Sequence, residues 1–276
     1  MSYTVLEVER EGGVATLWLA NAAKRNAMGP AFWTELPAAL AELGSDDAVR
    51  AVVIAGRGPH FTTGLDLTSM GQTLAGAGGP AGGSASEAAK RRRMLTDIER
   101  LQRSISAVAD CPKPVVAAVH GYCLGGGVDL VTACDVRVAS RDAVFSIRET
   151  RIAIVADVGT LQRLPGIVGR GIAAELALTG DDVPAERALA IGLVNSLHAD
   201  AGEAVAAARA LAGRMARNSP LVVQGTKRVL RYCEGKSVAD GLAFVAAWNA
   251  AFLPSDDLKE AMTAFLEKRA PHFTGS

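Results

Sequence analysis

Residues 112–140 read PKPVVAAVHGYCLGGGVDLVTACDVRVAS, and this stretch decides the fold by placing a glycine-rich turn between two apolar runs. The runs at 114–121 and 136–140 each predict a short buried strand, the first ending at a glycine. Three consecutive glycines, 125–127, are followed two positions later by Asp129. Because glycine loses more conformational entropy on folding than any other residue, such a run indicates that something must approach the backbone closely.

Outward from this stretch, strand and helix patterns alternate. An amphipathic helix is predicted between two strands from apolar residues at four-three-four-three spacing, namely Met94, Ile98, Leu101, Ile105 and Val108. The other predicted elements are a hairpin over 4–20, a helix over 31–43, strands at 51–56 and 144–147, a flexible surface loop over 71–89, and an almost wholly helical chain from about 170. The pattern predicts an α/β fold in which helices cover sheets and the helical last third forms a cap or an assembly surface.

Composition excludes several classes of protein. Lys plus Arg (29) equals Asp plus Glu (29), so no overall field favours nucleic acid or a membrane, and the basic run at 91–93 is interpreted as a solvated helix face. The four cysteines lack CxxC spacing, which favours buried free thiols in a reducing compartment. The N-terminal residues do not read as a signal peptide and FTGS is not a peroxisomal address, so the expected location is cytoplasmic.

Common cofactor and metal motifs do not occur in the sequence. It has no GxGxxG, GxxxxGK[ST] or GxSxG motif, and its four histidines are too widely spaced for a short-range metal site. His120, at the end of an apolar strand, is interpreted as a hydrogen-bonded structural residue. We therefore expect neither a metal nor a cofactor.

The glycine run has two interpretations, both left open by the residues alone. It can bare main-chain N–H groups at a helix terminus, where they stabilise a developing negative oxygen. Alternatively, it lets a strand and a helix pack closely, with Asp129 favoured in the first helical turn. A second glycine turn, FTTGLDLTSM at 61–70, offers the N–H of Leu65 as a second donor, and Asp66 there is interpreted as a cap or turn residue.

Two acids, Glu149 and Asp157, stand isolated in the mostly apolar segment IRETRIAIVADVGTLQRLP at 147–165. Apolar surroundings raise a carboxyl pKa and suit proton transfer near neutral pH. The alternatives are that Glu149 pairs with Arg148 or Arg151 and that Asp157 caps the following helix.

Together these residues resemble the crotonase family, also called the enoyl-CoA hydratase/isomerase family. The resemblance begins with 112–140 and extends to segments along nearly the whole chain, namely AKRNAM (23–28), FTTGLDL (61–67), ADVGTLQRLP (156–165), TGDDVPAERALAIGLVN (179–195) and FLEKRAPHF (265–273). It implies a spiral of β-β-α repeats over 1–200 with the active site, a C-terminal helical region over 201–276, acyl-CoA thioester substrates, and trimers or hexamers.

The resemblance also implies roles for particular residues. The oxyanion hole would be formed by the main-chain N–H groups of Leu65 and Gly126. Lys24 and Arg25 would contact the CoA phosphates, with Lys268 as a further CoA-binding candidate. No cofactor is implied beyond the coenzyme A of the substrate.

Within the family, the three acids Asp129, Glu149 and Asp157 resemble the Δ3,5-Δ2,4-dienoyl-CoA isomerases of fatty-acid degradation. That likeness implies that Glu149 removes a proton from C2, Asp157 protonates C6, and Asp129 orients or tunes the pair. One alternative is an enoyl-CoA hydratase in which Asp129 and Glu149 hold a water, although hydratases carry Glu where this chain has Asp129. The other is a non-catalytic acyl-CoA-binding protein of the same fold.

Overall fold

The computed structural model describes residues 3–74 and 86–276. In chain order its strands and helices are β1 (Leu6–Glu11), β2 (Val14–Leu19), α1 (Pro30–Ser45), β3 (Ala51–Gly56), α2 (Leu67–Leu74), α3 (Glu87–Asp110), β4 (Val115–Val119), β5 (Tyr122–Leu124), α4 (Gly126–Ala133), β6 (Val136–Ser140), β7 (Val144–Ser146), α5 (Thr160–Val168), α6 (Arg170–Thr179), β8 (Val183–Pro184), α7 (Ala185–Ala190), β9 (Ser196–His198), α8 (Ala201–Ala216), α9 (Pro220–Tyr232), α10 (Val238–Phe252) and α11 (Asp256–Glu267). Short 3-10 helices lie at Ala22–Lys24 and Glu149–Ile152.

A six-stranded sheet in the order β1-β2-β3-β4-β6-β9 forms the centre of the fold. β1 and β2 form the predicted antiparallel hairpin, and its turn is made by Gly12 and Gly13, whose φ angles of 55° and 82° favour glycine. The remaining neighbours in this sheet are parallel. A second sheet, β5-β7-β8, carries the strand that leads into the glycine run.

Helices cover both faces of the large sheet, which explains why β3 and β4 are apolar at nearly every position. On one face the core includes residues of α1, α3 and α4, and on the other α8 presents Ala208, Ala212 and Ala216. The predicted α/β class, with sheets under helices, is therefore confirmed.

Most predicted elements occur where the sequence placed them. The amphipathic helix is α3, which buries Leu101, Ile105 and Val108 and exposes the basic run at 91–93. The prediction of an almost all-helical chain after residue 170 missed β9, which pairs with β6 in the main sheet. β9 reads SLH and has one apolar residue, so it lacks the apolar run by which the equally short β7 was predicted.

The C-terminal helices leave much apolar surface exposed. Val238 and Phe265 are 80% and 81% exposed, and Leu266 is 78% exposed. No single helix of the described residues is long and apolar enough to cross a membrane; α10 and α11 pass that test only as a pair, which bends by 80° at the junction. The division at residue 200 stays a prediction, and the predicted loop over 71–89 lies mainly outside the described residues, its ends being helical.

Candidate active site

The glycine run turns the chain from β5 into α4, and each glycine meets a different neighbour. A Cβ on Gly126 would lie 2.9 Å from Met28 Sδ, and one on Gly127 would lie 2.6 Å from Thr62 Cγ2. Gly125 has a φ of 53°, and a Cβ there would lie 3.2 Å from Glu149 Oε1. Close packing therefore accounts for two of the glycines, while the third lies directly beside a carboxylate.

Two main-chain N–H groups have no acceptor among the described residues: Gly126 N–H in the glycine run and Leu65 N–H in the second glycine turn. Met28 donates to Gly64 O at 2.8 Å and accepts from the Asp66 N–H at 3.2 Å, so the intervening Leu65 N–H points away from that pairing. The two turns are in contact, because a Cβ on Gly64 would lie 3.3 Å from Gly126 N. The glycine run therefore allows close packing and also leaves one main-chain N–H without a described acceptor, so its two interpretations are compatible.

Glu149 lies against this turn at the start of a 3-10 helix. Its Oε2 is buried without a described hydrogen-bond partner. Arg148 pairs instead with Asp182 at 2.6 Å and Arg151 with Asp181 at 2.5 Å, so the interpretation of Glu149 as an arginine partner is wrong. Burial, helped by the charges of Asp129 and Asp157, raises the pKa of Glu149 to about 7.

Asp129, on the first turn of α4, is fully buried below the glycine run. Its Oδ1 accepts the Thr160 N–H at 2.5 Å, while its Oδ2 has no described partner. Burial raises the pKa of Asp129 to about 6, against the opposing effects of hydrogen bonds from Thr160 and the charge of Arg163. Asp129 therefore caps α5 from another helix.

Asp157 is half-buried in the loop that leads into α5. The interpretation of this residue as the helix cap is wrong, because Gly159 occupies the N-cap position and Asp129 accepts the first helical N–H. Burial raises the pKa of Asp157, and its charge in turn acts on both Asp129 and Glu149. The three acids thus form one electrostatically coupled group.

A cleft of about 1710 Å³ opens beside Asp157, between α5 and the C-terminal helices. Its apolar wall includes Val245, Trp248 and Phe252. Leu65, Gly126 and Glu149 do not line it, so it adjoins the acid group on the Asp157 side only.

The predicted CoA-binding residues divide into two sets. Lys24 and Arg25 are exposed beside the Leu65 turn: Lys24 Nζ lies 3.5 Å from Asp66 Oδ2, and Arg25 O accepts the Thr63 N–H at 3.2 Å. Lys268 is exposed at the end of α11, and no described contact joins its side chain to this turn. All three roles stay predictions.

Several smaller interpretations are confirmed. Asp66 accepts from the Thr68 and Ser69 N–H groups as the predicted turn residue, and His120 Nε2 lies 2.9 Å from Gly58 O in a structural hydrogen bond. The four cysteines are free thiols, but Cys233 is exposed, unlike the other three. Within residues 3–74 and 86–276, no cluster of three metal-ligating side chains occurs, and the expectation that no metal is bound stays a prediction.

Sequence reasoning missed the residues that hold the acids in place. Gln102 contacts Asp157 O, Thr160 contacts the carboxylate of Asp129, and Arg163 joins Val158 O to Ser106. Except for Val158, these partners are distant in sequence, and local patterns therefore gave no signal for the contacts.

Comparison with known proteins gives consistent relatives. The sequence model of the family described as enoyl-CoA hydratase/isomerase matches residues 9–276. The chain is 42% identical over 98% of its length to the mitochondrial Delta(3,5)-Delta(2,4)-dienoyl-CoA isomerase of Dictyostelium discoideum, covering 92% of that protein. It is also 42% identical over 99% of its length to the peroxisomal isomerase of the same name from Arabidopsis thaliana, covering 98% of that protein. The crystal structure of enoyl-CoA hydratase from Bacillus anthracis superposes with a TM-score of 0.88 at 27% identity, covering 99% of this chain and 100% of that one.

The expected cytoplasmic location is wrong on this comparison, because these two isomerases are named as mitochondrial and peroxisomal proteins. The sequence reasoning relied on free thiols and on terminal residues that match neither a signal peptide nor a peroxisomal address. Neither observation specifies the compartment in which the folded protein works.

Proposed function

This chain is an enzyme of the enoyl-CoA hydratase/isomerase family, and from that premise we propose that it isomerises a 3,5-dienoyl-CoA to the 2,4-dienoyl-CoA in fatty-acid degradation. The observation that carries the proposal is that two packed glycine turns each leave one N–H group without a described acceptor and that Glu149, whose pKa is raised by Asp129 and Asp157, lies against one of them. The names of its relatives as enzymes argue against the non-catalytic interpretation.

The Leu65 and Gly126 N–H groups receive the thioester oxygen in this proposal. They stabilise the negative charge that develops on that oxygen as the C2 proton leaves. Removing one such donor typically costs about 10²–10³-fold in rate. Because the donors belong to two packed backbone turns, they need little reorganisation during the reaction.

Glu149 and Asp157 transfer the two protons. Glu149, ionised, removes a proton from C2, and the electron pair spreads over the dienolate from the thioester oxygen to C6. Asp157, protonated, gives its proton to C6, so the product has the same atoms as the substrate. The raised pKa of Glu149, about 7, makes that carboxylate a base of suitable strength at neutral pH. No redox or metal chemistry is required, so we propose that only the CoA of the substrate is bound.

Asp129 has a supporting role in this scheme. Its Oδ1 is already engaged by Thr160 N–H, and its charge raises the pKa of Glu149. Asp129 therefore tunes the base and fixes the start of α5, three residues after Asp157. Lys24 and Arg25 bind the CoA phosphates, with Lys268 as a further CoA contact.

A specific observation favours a second candidate, enoyl-CoA hydratase activity. Asp129 Oδ2 and Glu149 Oε2 are both buried without a described partner, and two such oxygens could hold a water. In that case Asp157 would have no part in the chemistry.

Two incubations test the choice. Purified protein is mixed with a 3,5-dienoyl-CoA, following the 2,4-diene chromophore, and separately with crotonyl-CoA, following loss of the enoyl absorbance. We expect fast diene formation that Asp157→Asn abolishes. Fast hydration of crotonyl-CoA, unaffected by Asp157→Asn and without diene formation, would instead support the hydratase.

We also propose that the chain assembles as a trimer or a pair of trimers through the exposed apolar surface of α10 and α11. Val238, Phe265 and Leu266 would be costly to leave in water. Sedimentation equilibrium should give three or six times the 28.5 kDa chain mass, and Phe265→Glu with Leu266→Glu should lower it. A monomer at micromolar concentration would contradict this assembly.

A further inference from the structure

The loop that carries Asp157 is held from outside by side chains of α3. Gln102 Nε2 donates to Asp157 O at 2.7 Å. Four residues further along the same helix, Ser106 Oγ accepts from Arg163 Nη2 at 3.1 Å, and Arg163 Nη1 donates to Val158 O at 3.4 Å. Residues four apart lie on one face of a helix, so Gln102 and Ser106 face this loop together. α3 thereby holds two successive carbonyls, Asp157 O directly and Val158 O through Arg163. These contacts are called the fastening of the loop.

At the other end of the loop, Gly159 leaves space for the Arg163 side chain. The Arg163 guanidinium lies over Gly159, where any Cβ would collide with it. Gly159 also has a φ of 132°, which favours glycine. The next residue, Thr160, is tied to the buried Asp129. The path of the chain from Asp157 to Thr160 is thus fixed from both α3 and α4.

α3 is a firm support for this fastening. Leu101 and Ile105, which flank Gln102 and Ser106 in sequence, are buried in the main core. Ser104 Oγ donates to Trp33 O in α1 at 2.6 Å, which ties the helix to its neighbour. The backbone positions of Gln102 and Ser106 are therefore fixed relative to the core.

We propose that Gln102, Ser106 and Arg163 are positioning residues that set Asp157 over C6 of the substrate. The inference rests on the proposed isomerase activity and extends it to residues that do not touch the reacting atoms. If Asp157 is displaced, the substrate still loses its C2 proton to Glu149, but the resulting dienolate takes a proton back at C2 more often. The fastening therefore determines what fraction of the dienolate is protonated at C6 to give product and what fraction is reprotonated at C2 to give back the substrate.

The test compares reprotonation at C2 with protonation at C6 in D₂O, with a 3,5-dienoyl-CoA as substrate. Deuterium entering C2 of recovered substrate is divided by the amount of 2,4-dienoyl-CoA formed, for the wild type, Gln102→Leu and Ser106→Ala. This ratio is independent of the amount of folded enzyme, so a merely structural loss does not change it. Because one hydrogen bond is removed in each variant, we expect the ratio to rise about 2- to 10-fold.

Arg103→Leu is the matched control. Arg103 is exposed on the same helix, and its one described ion pair, to Glu99, has atoms 4.0 Å apart. Its ratio should equal that of the wild type. An unchanged ratio in both Gln102→Leu and Ser106→Ala would overturn the proposal, whereas absence of diene formation by the wild type would instead refute the isomerase activity.

A second measurement covers the case in which the Glu149 proton returns to C2 before it exchanges. Substrate deuterated at C2 should show a smaller isotope effect on kcat/KM with Gln102→Leu than with wild type, while the solvent isotope effect should grow. Such a change follows if C6 protonation has become slower relative to C2 deprotonation. Identical isotope effects in the two enzymes would count against the fastening as decisively as an unchanged ratio.

Discussion

Replacement of Glu149 by Gln should remove activity and, at neutral to alkaline pH, increase stability. The carboxyl has its pKa raised from 4.5 to about 7, mainly by burial. One pKa unit corresponds to about 1.4 kcal/mol, so the ionised side chain opposes folding by about 3 kcal/mol at most. Part of that cost is shared with Asp129 and Asp157, whose charges also raise the pKa.

The pH dependence has a definite sign. An acid with a raised folded pKa binds more protons when folded, so stability falls as pH rises from the unfolded value of 4.5 to about 7. Below this window the side chain is protonated in both states and its replacement has little electrostatic effect. Between pH 5 and pH 8 the stability of Glu149→Gln relative to wild type should therefore increase by about 2 kcal/mol.

Urea unfolding at pH 5, 6, 7 and 8 at one fixed protein concentration measures this difference. Glu99→Gln serves as the control, because it makes the same chemical change at an exposed position on α3 outside the group of buried acids. A difference between Glu149→Gln and wild type that also stays flat from pH 5 to 8 would refute the burial argument. Retention of isomerase activity within a few-fold by Glu149→Gln would refute its role as the base.

Three further outcomes follow from the same geometry. In Asp129→Asn, an amide oxygen can still accept the Thr160 N–H, but the charge that raises the Glu149 pKa disappears. The acidic limb of the plot of kcat/KM against pH should therefore move to lower pH. An unmoved limb would contradict electrostatic tuning of Glu149 by Asp129. In Gly64→Ala, where φ is 81°, the new Cβ would lie 2.5 Å from Leu124 O and should displace the Leu65 N–H. Loss of this donor should lower kcat about 10²–10³-fold. Activity near wild type would count against the Leu65 N–H as a donor. For the wild type, kcat/KM should rise with pH through about 7 and fall again as the donor acid ionises, and these apparent pKa values belong to the coupled acids together; a profile flat from pH 5 to 9 would exclude proton transfer by them.

The sequence predicted the strand and helix order well wherever apolar periodicity extended over several residues. The hairpin, α3 and the buried strands β3 and β4 follow directly from such runs. β9 was missed because its residues, SLH, include one apolar side chain and its pairing with β6 depends on residues almost sixty positions earlier. The glycine run was recognised as a close approach, but the neighbours that require it, Met28 and Thr62, belong to other segments.

The candidate site was predictable as a set of residues and unpredictable as a set of contacts. Isolation in an apolar segment pointed to Glu149 and Asp157 correctly as partly buried acids with raised pKa values. Their local alternatives failed because the neighbouring arginines pair elsewhere and because Asp129, thirty-one positions away, takes the cap of α5. Such contacts depend on tertiary packing, which no local pattern encodes.

The most direct test of the account follows the hydrogen delivered to C6 during a single turnover in D₂O. Enzyme equilibrated in D₂O and in excess over a 3,5-dienoyl-CoA should give 2,4-dienoyl-CoA carrying one deuterium at C6, because Asp157 supplies a proton other than the one Glu149 removes. NMR of the product measures this label. Product that retains only the original hydrogens at C6, or a 3-hydroxyacyl-CoA in place of the diene, would contradict proton transfer by two separate acids.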